Sequence, residues 1–219
     1  RIHLVAKLEK PAAVERLDEI VARTDALMVA RGDLGVELPP ERVPTIQRRA
    51  LRICRAAGNP VIVATQMLES MITAPTPTRA EASDVATAIY EGADAVMLSA
   101  ESASGKYPVE AVRIMDRIIA EVEQDPYYRK AVDAAHPEPE PTIGDAVSSA
   151  LRHATAILPV SATVTYTTSG SSALRAARER LESPILALTP SIETARRLSL
   201  VWGVHAVIGP PVAGVHEMI

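Results

Sequence analysis

Residues 28–39 read MVARGDLGVELP, an apolar run that stops abruptly at Arg31-Gly32-Asp33-Leu34-Gly35. A glycine at such a stop lets the backbone approach a ligand closely. If Asp33-Leu34-Gly35 opens a short helical turn, its free N–H groups form an anion site. Three other apolar runs end in polar residues as well: IHLVA in Lys7-Leu8-Glu9, VIVA in Thr65-Gln66, and AVML in Ser99-Ala100-Glu101. Residues i and i+2 of a strand share a face, so Lys7 and Glu9 point the same way. Burying both is costly unless they are paired or serve a ligand. Glu9 and Asp33 are two hard oxygen donors, a set that suits Mg²⁺ held together with a phosphate or carboxylate. Lys7 beside them suits charge stabilisation on a transferring phosphoryl group. Taken singly, each feature has a structural explanation: a common βα turn, an ion pair, Thr65 and Ser99 as helix caps. Four polar strand ends on one rim are a more specific pattern than any member.

The elements that must position these residues follow from periodicity. Residues 2–6, 26–30, 61–64 and 95–98 read as short buried strands without alternation, as in a sheet covered on both faces. Between them, residues 12–22 carry a helical spacing at Val14, Leu17, Ile20 and Val21. Residues 43–57 carry another at Ile46, Ala50, Ile53, Cys54 and Ala57, closed by Gly58. Thr78-Arg79-Ala80-Glu81 is a capping-box pattern that opens a helix ending at Gly92. Pro108 sits where a first helical turn begins, and Val112, Met115, Ile119 and Val122 stripe that helix. The first 124 residues thus alternate strand and helix four times, and DALMV (25–29) nearly repeats as DAVML (94–98). The pattern fits half of a (β/α)₈ barrel; spacing alone fits a doubly wound open sheet equally. In both, active sites lie at the carboxyl ends of the strands.

Residues 125–142, with prolines at 126, 137, 139 and 141, read as a linker. A second α/β unit follows over 143–219: helix 143–157, strand 162–167, helix 171–181, strand 184–188, helix 191–200 and strand 203–208. Thr167, Thr168, Ser169, Gly170, Ser171 and Ser172 lie between a strand and a helix, where hydroxyls, a glycine and a helix N-terminus make a phosphate cradle. An ordinary Ser/Thr cap on a βα turn is the plainer reading of the same residues.

Composition narrows the class. The chain has 219 residues, 47% of them hydrophobic but only 3% aromatic, with no Phe. A core of Val, Ile, Leu, Ala and Met suits α/β layers. A net charge of −4 argues against a nucleic-acid surface. The single Cys54 excludes an intrachain disulfide and fits a reducing, cytoplasmic setting. No apolar run reaches the roughly 20 residues of a membrane span, and no signal peptide is visible. The start at Arg1, without an initiator Met, reads as a piece of a longer chain.

Four segments, AKLEK, VARGDLGVELP, VIVATQMLESM and PTRAEASDVATAIYEGADAVMLSAESASGKYPVEAV, together resemble the pyruvate kinase family. The resemblance continues through TTSGSSALRAARERLESPILALTP to about residue 208, and so covers nearly the whole chain. One departure is mild: Lys10-Pro11 stands where the family usually has Asn and Gly-like residues. The resemblance implies an α/β fold consisting of the second half of a TIM barrel (1–124), the linker, and a truncated three-layer α/β regulatory domain (143–219). It implies phosphoryl transfer from phosphoenolpyruvate to ADP, giving pyruvate and ATP. Lys7 would stabilise the transition state, Glu9 and Asp33 would hold Mg²⁺ or Mn²⁺, and the Gly32 and Asp33 N–H groups would receive the substrate carboxylate. Thr65 would line the face where the enolate is protonated, with Gln66 and Ser99 in the surrounding proton-relay shell. The resemblance also implies a homotetramer and, in regulated members, a phosphorylated effector at residues 167–172. The K⁺ ligands, the nucleotide-binding arginines and the inserted lid domain would belong to an amino-terminal half that is absent, which leaves the chain alone without activity. The alternative is a non-catalytic effector-binding module derived from such an enzyme; an unrelated Mg²⁺-dependent barrel lyase shares the strand-end logic but not the long motifs.

Overall fold

The computed structural model describes residues 2–212. It forms two compact units, Arg1–Pro137 and Glu138–Ile219.

The first unit is built on a parallel sheet of β1 (Val5–Leu8), β2 (Ala26–Ala30), β3 (Val61–Ala64) and β4 (Ala95–Met97), in that spatial order. Four successive strands of a doubly wound sheet straddle its reversal of order; sequential pairing without reversal is the order of a barrel wall. The register Ala30↔Ala64↔Met97 aligns the carboxyl ends on one rim. β3 is buried throughout, which explains its unbroken apolar sequence. The outer strands differ. Ile2 and Leu4 ahead of β1 and Val5 at its start are exposed, and β4 is half-buried along its length. Strand β1 starts at Val5 rather than Ile2, because its first partner is Ala26 and the Asp25 carboxylate takes the Leu4 N–H at 2.9 Å.

Helices return the chain between strands. The predicted helix over 12–22 is two short ones, α1 (Pro11–Glu15) and α2 (Leu17–Val21), broken at Arg16. α3 (Arg31–Glu37) follows β2 directly. α4 (Val43–Ala57) has the expected bounds and ends at Gly58 with φ 74°, the left-handed cap that glycine permits. Its packed face is Ile46, Ala50, Leu51 and Cys54; Ala57 is exposed. Burial, with the Asp94 charge adding to it, pushes the Cys54 thiol up to about 12. α5 (Arg79–Tyr90) opens with the predicted capping box, Glu81 N–H to Thr78 Oγ1 at 3.2 Å and Thr78 N–H to Glu81 Oε2 at 2.7 Å. After β4 come α6 (Ala100–Ala103) and α7 (Pro108–Gln124), which buries Ala111, Met115 and Val122 and leaves the expected core residue Val112 exposed.

The segment read as a linker is corrected in its first half. α8 (Pro126–Ala134) begins with Asp125 accepting the Tyr127 N–H and Pro126 in the first turn. It docks through Tyr128 and Val132 on Ile89 and Val122.

The second unit holds α9 (Ile143–Ile157), β5 (Thr163–Tyr166), α10 (Ser171–Arg178), β6 (Ile185–Thr189), α11 (Ile192–Leu198) and β7 (Val204–Ile208), with parallel pairing in the order β5-β6-β7. Ala173, Ala176 and Ala177 of α10 and Leu198 of α11 pack on Ile185 and Ala187. A buried ion pair, Arg178 to Asp145 at 2.7 Å, fastens α10 to the first turn of α9.

Candidate active site at the strand ends

Lys7, in β1, and Glu9, just beyond it, face the same way and form an ion pair, as alternation requires. The hydrogen bond and charge of Glu9 raise the Lys7 ammonium above the ordinary lysine value. Lys7 in turn holds the Glu9 carboxyl below its usual range, against desolvation, and Asp33 lies close enough to act on both Glu9 and Lys7. Lys7, Glu9 and Asp33 therefore form one group. Lys10 joins it from the other side through an ion pair with Glu37 at the end of α3, and it feels the charges of Glu9 and Asp33. Lys10 thus adds a second ammonium beside the two carboxylates.

Gly32 and Thr65 meet just beyond the carboxyl ends of the adjacent strands β2 and β3. The Gly32 N–H donates to Thr65 Oγ1 at 2.7 Å, and that hydroxyl donates to Ala64 O at 2.6 Å. A Cβ on Gly32 would stand 3.3 Å from Thr65 Oγ1, so the glycine is what allows this approach. Thr65 and Gln66 both adopt positive φ, 68° and 54°. That is an uncommon conformation for a β-branched residue and a mark of strain.

Ser99 stands one strand further along the rim. It caps α6 by position, but its side chain makes no capping bond. It is tied to the site through Glu101, whose buried carboxylate accepts the Ser99 N–H at 2.7 Å and the Leu68 N–H at 3.2 Å. The residues missed in the sequence are those that work through this loop. Ser70 donates its N–H and hydroxyl to Glu81, at 2.7 Å and 2.5 Å. Arg31 donates to the Thr65 and Gln66 carbonyls at 2.9 and 3.1 Å, and to Asp84 at 2.8 Å. The only signal for Arg31 was its odd place at the end of an apolar run.

In the second unit, the six residues of the hydroxyl-rich turn divide. Thr167 and Gly170 are buried, and the Thr167 hydroxyl accepts the Gly170 N–H at 2.9 Å. Gly170 has φ 88°. Thr168, Ser169, Ser171 and Ser172 are exposed around the start of α10. Arg197 donates to the Ser169 carbonyl and Thr194 Oγ1 to the Thr168 carbonyl, the latter at 2.8 Å.

Among the described residues, no cluster of three or more His, Cys, Asp or Glu side chains gathers as a metal site. Two adjacent carboxylates with open positions still fit Mg²⁺, which takes one or two carboxylates and completes its shell with water and phosphate.

The model of the pyruvate kinase barrel domain matches residues 1–112, and that of the pyruvate kinase alpha/beta domain matches residues 145–219. The chain belongs to the pyruvate kinase family. A pyruvate kinase of Methylorubrum extorquens is 54% identical over 218 residues, all of this chain but 46% of that protein. One of Agrobacterium vitis is 56% identical over 97% of this chain and 45% of its own length. The crystal structure of a pyruvate kinase from Cryptosporidium parvum superposes with a TM-score of 0.93 at 35% identity, over 99% of this chain and 44% of that one. The chain thus spans about half the length of the pyruvate kinases it matches, and its α/β fold is a partial barrel followed by an α/β domain. Among the described residues no helix is long and apolar enough to cross a membrane.

Proposed function

We propose that this chain is the second barrel half and most of the carboxy-terminal domain of a cytoplasmic pyruvate kinase, which moves a phosphoryl group from phosphoenolpyruvate to ADP. The observation that carries the reading is the single group formed by Lys7, Glu9 and Asp33 at the rim of a family-matched sheet. Glu9 and Asp33 hold Mg²⁺ or Mn²⁺, which supplies charge neutralisation on the phosphoryl oxygens when bound. Lys7 adds a fixed positive charge where negative charge builds up. The Gly32 and Asp33 N–H groups receive the substrate carboxylate. Since Gly32 N–H is engaged by Thr65 Oγ1, the carboxylate takes that hydroxyl's place, and the freed hydroxyl turns to the enolate face. Ser99 and Gln66 belong to the proton-relay shell. K⁺ is held by residues outside this chain, and the exposed turn at Thr168, Ser169, Ser171 and Ser172, with Thr167 and Gly170 beneath it, takes the phosphate of an effector. The assembled enzyme is a homotetramer.

Phosphoryl transfer depends on positioning and charge together, so the chain alone should not turn over. The test is an assay with phosphoenolpyruvate, ADP, Mg²⁺ and K⁺, on the chain by itself and with the amino-terminal half of the Methylorubrum extorquens enzyme added. No turnover alone, and turnover on complementation that Lys7→Met abolishes, is the expected result. Silence in both arms, with phosphorylated sugars still bound by the chain, favours a non-catalytic effector module. The exposed Ile2, Leu4 and Val5 support self-association; sedimentation equilibrium showing a monomer at every concentration would count against it.

A further inference from the structure

Arg31 has no part in the chemistry assigned to the strand ends. Its side chain is nonetheless among the most heavily engaged in the first unit. It is 8% exposed. Nε and Nη2 donate to the Thr65 carbonyl at 3.3 and 2.9 Å; Nη2 also reaches the Gln66 carbonyl at 3.1 Å and Met67 Sδ at 2.8 Å. Nη1 lies 2.7 Å from Asp84 Oδ2. Every guanidinium nitrogen is thus engaged within the protein, which removes Arg31 as a ligand for a substrate anion. What it holds are the carbonyls of the two residues with positive φ, Thr65 and Gln66.

The loop they open is fastened by opposite charges on opposite backbone groups. A cation takes its carbonyls at 65 and 66. Carboxylates take its amides, Glu101 at Leu68 and Glu81 at Ser70. The two acids only anchor the loop. The arginine acts at the residues whose conformation neither a threonine nor a glutamine adopts readily, and its planar fork reaches two carbonyls and a carboxylate from separate nitrogens in one fixed plane, a span the single nitrogen of an ammonium does not reproduce.

We infer that Arg31, with Asp84 as its counter-ion, is a positioning residue: it keeps Thr65 and Gln66 left-handed and so sets Thr65 Oγ1 against the Gly32 N–H. The inference rests on the proposed function only for the meaning of Thr65; the clamp itself stands on the contacts above.

The test is amide hydrogen exchange by NMR on the full chain, reading the Gly32 amide against Val29 and Val63 in the sheet. Arg31→Lys keeps the charge but loses the fork. It is expected to speed Gly32 exchange at least tenfold while the two references stay unchanged. Asp84→Asn, at a half-exposed position that does not threaten folding, is expected to speed it about threefold. The decisive arm is Arg31→Lys with Gln66→Gly. Glycine takes positive φ unaided, so protection of Gly32 should recover at least threefold. Unchanged Gly32 exchange in both single variants overturns the inference. So does a uniform rise at all three amides, or no recovery with glycine. Mn²⁺ binding to the wild-type chain, followed by EPR, is read separately: its absence counts against the proposed function and leaves the clamp standing.

Discussion

The turn after β3 and the turn after β5 solve one problem with different residues. In both, a threonine hydroxyl accepts a backbone N–H, Thr65 from Gly32 and Thr167 from Gly170. In both, an arginine from another segment donates to a carbonyl of the turn, Arg31 to Thr65 and Arg197 to Ser169. The difference lies in who adopts the left-handed conformation. After β5 it is Gly170, at no steric cost. After β3 it is Thr65 and Gln66, which keep their side chains at the rim and need a buried guanidinium to stay there. A turn that must present a side chain cannot use glycine, so the strain is offset by contacts; a turn that offers mainly backbone N–H groups can use it.

The largest effect should come from removing the clamp. Arg31→Met leaves two loop carbonyls and Asp84 without their partner, and we expect the first unit to lose on the order of 3 kcal/mol. Urea unfolding followed separately in the two units measures it; a loss below about 1 kcal/mol would mean that the β3 turn holds itself. Next is Gly170→Ala. At φ 88°, with a new Cβ 2.4 Å from Arg197 Nη2, it should cost the second unit about 1–2 kcal/mol, as the arginine tip swings aside. A neutral result would erase the contrast between the turns. Gln66→Gly has the opposite sign. It should raise the stability of the first unit by about 0.5–1 kcal/mol, because the native conformation already suits glycine, and calorimetry on single and double variants would show it.

The smallest effect is a pH dependence beside the β3 turn. The folded value of Glu9 is lowered, so its contribution is present above the unfolded value of about 4.3 and fades as pH falls through the lowered folded value. Lys7 is raised, so its contribution is present below about 10.4 and fades as pH rises through the raised value. Between those limits the Lys7–Glu9 pair should add no pH dependence of its own. A step near neutrality in a stability profile that Glu9→Gln removes would show that the pair is not ionised as the geometry requires.

What was legible in the sequence was local. The capping box at Thr78 and Glu81, the Gly58 stop and the bounds of α4 depend on neighbours within a few residues, and they stand as read. α8 was hidden by the proline-rich run that follows it, at 137, 139 and 141, although Asp125-Pro126 is itself a helix-start signal. The pairing of Lys7 with Glu9 followed from strand alternation. Arg31 with Asp84, Glu101 with Leu68, and Lys10 with Glu37 join positions on different elements, and no local pattern announces them. The left-handed Thr65 and Gln66 were invisible for a further reason. The sequence there carries no glycine, and the cause of the conformation lies 34 residues earlier, in Arg31.

Cys54 gives the chain a clock of its own. It is the only thiol, fully buried on α4 and pushed up to about 12, so it offers almost no thiolate to a reagent while that helix is seated. Any labelling at neutral pH must count moments when α4 lifts from the sheet. The rate therefore times the breathing of the first unit alone, and it reads the wall behind the rim without a probe being introduced anywhere near it.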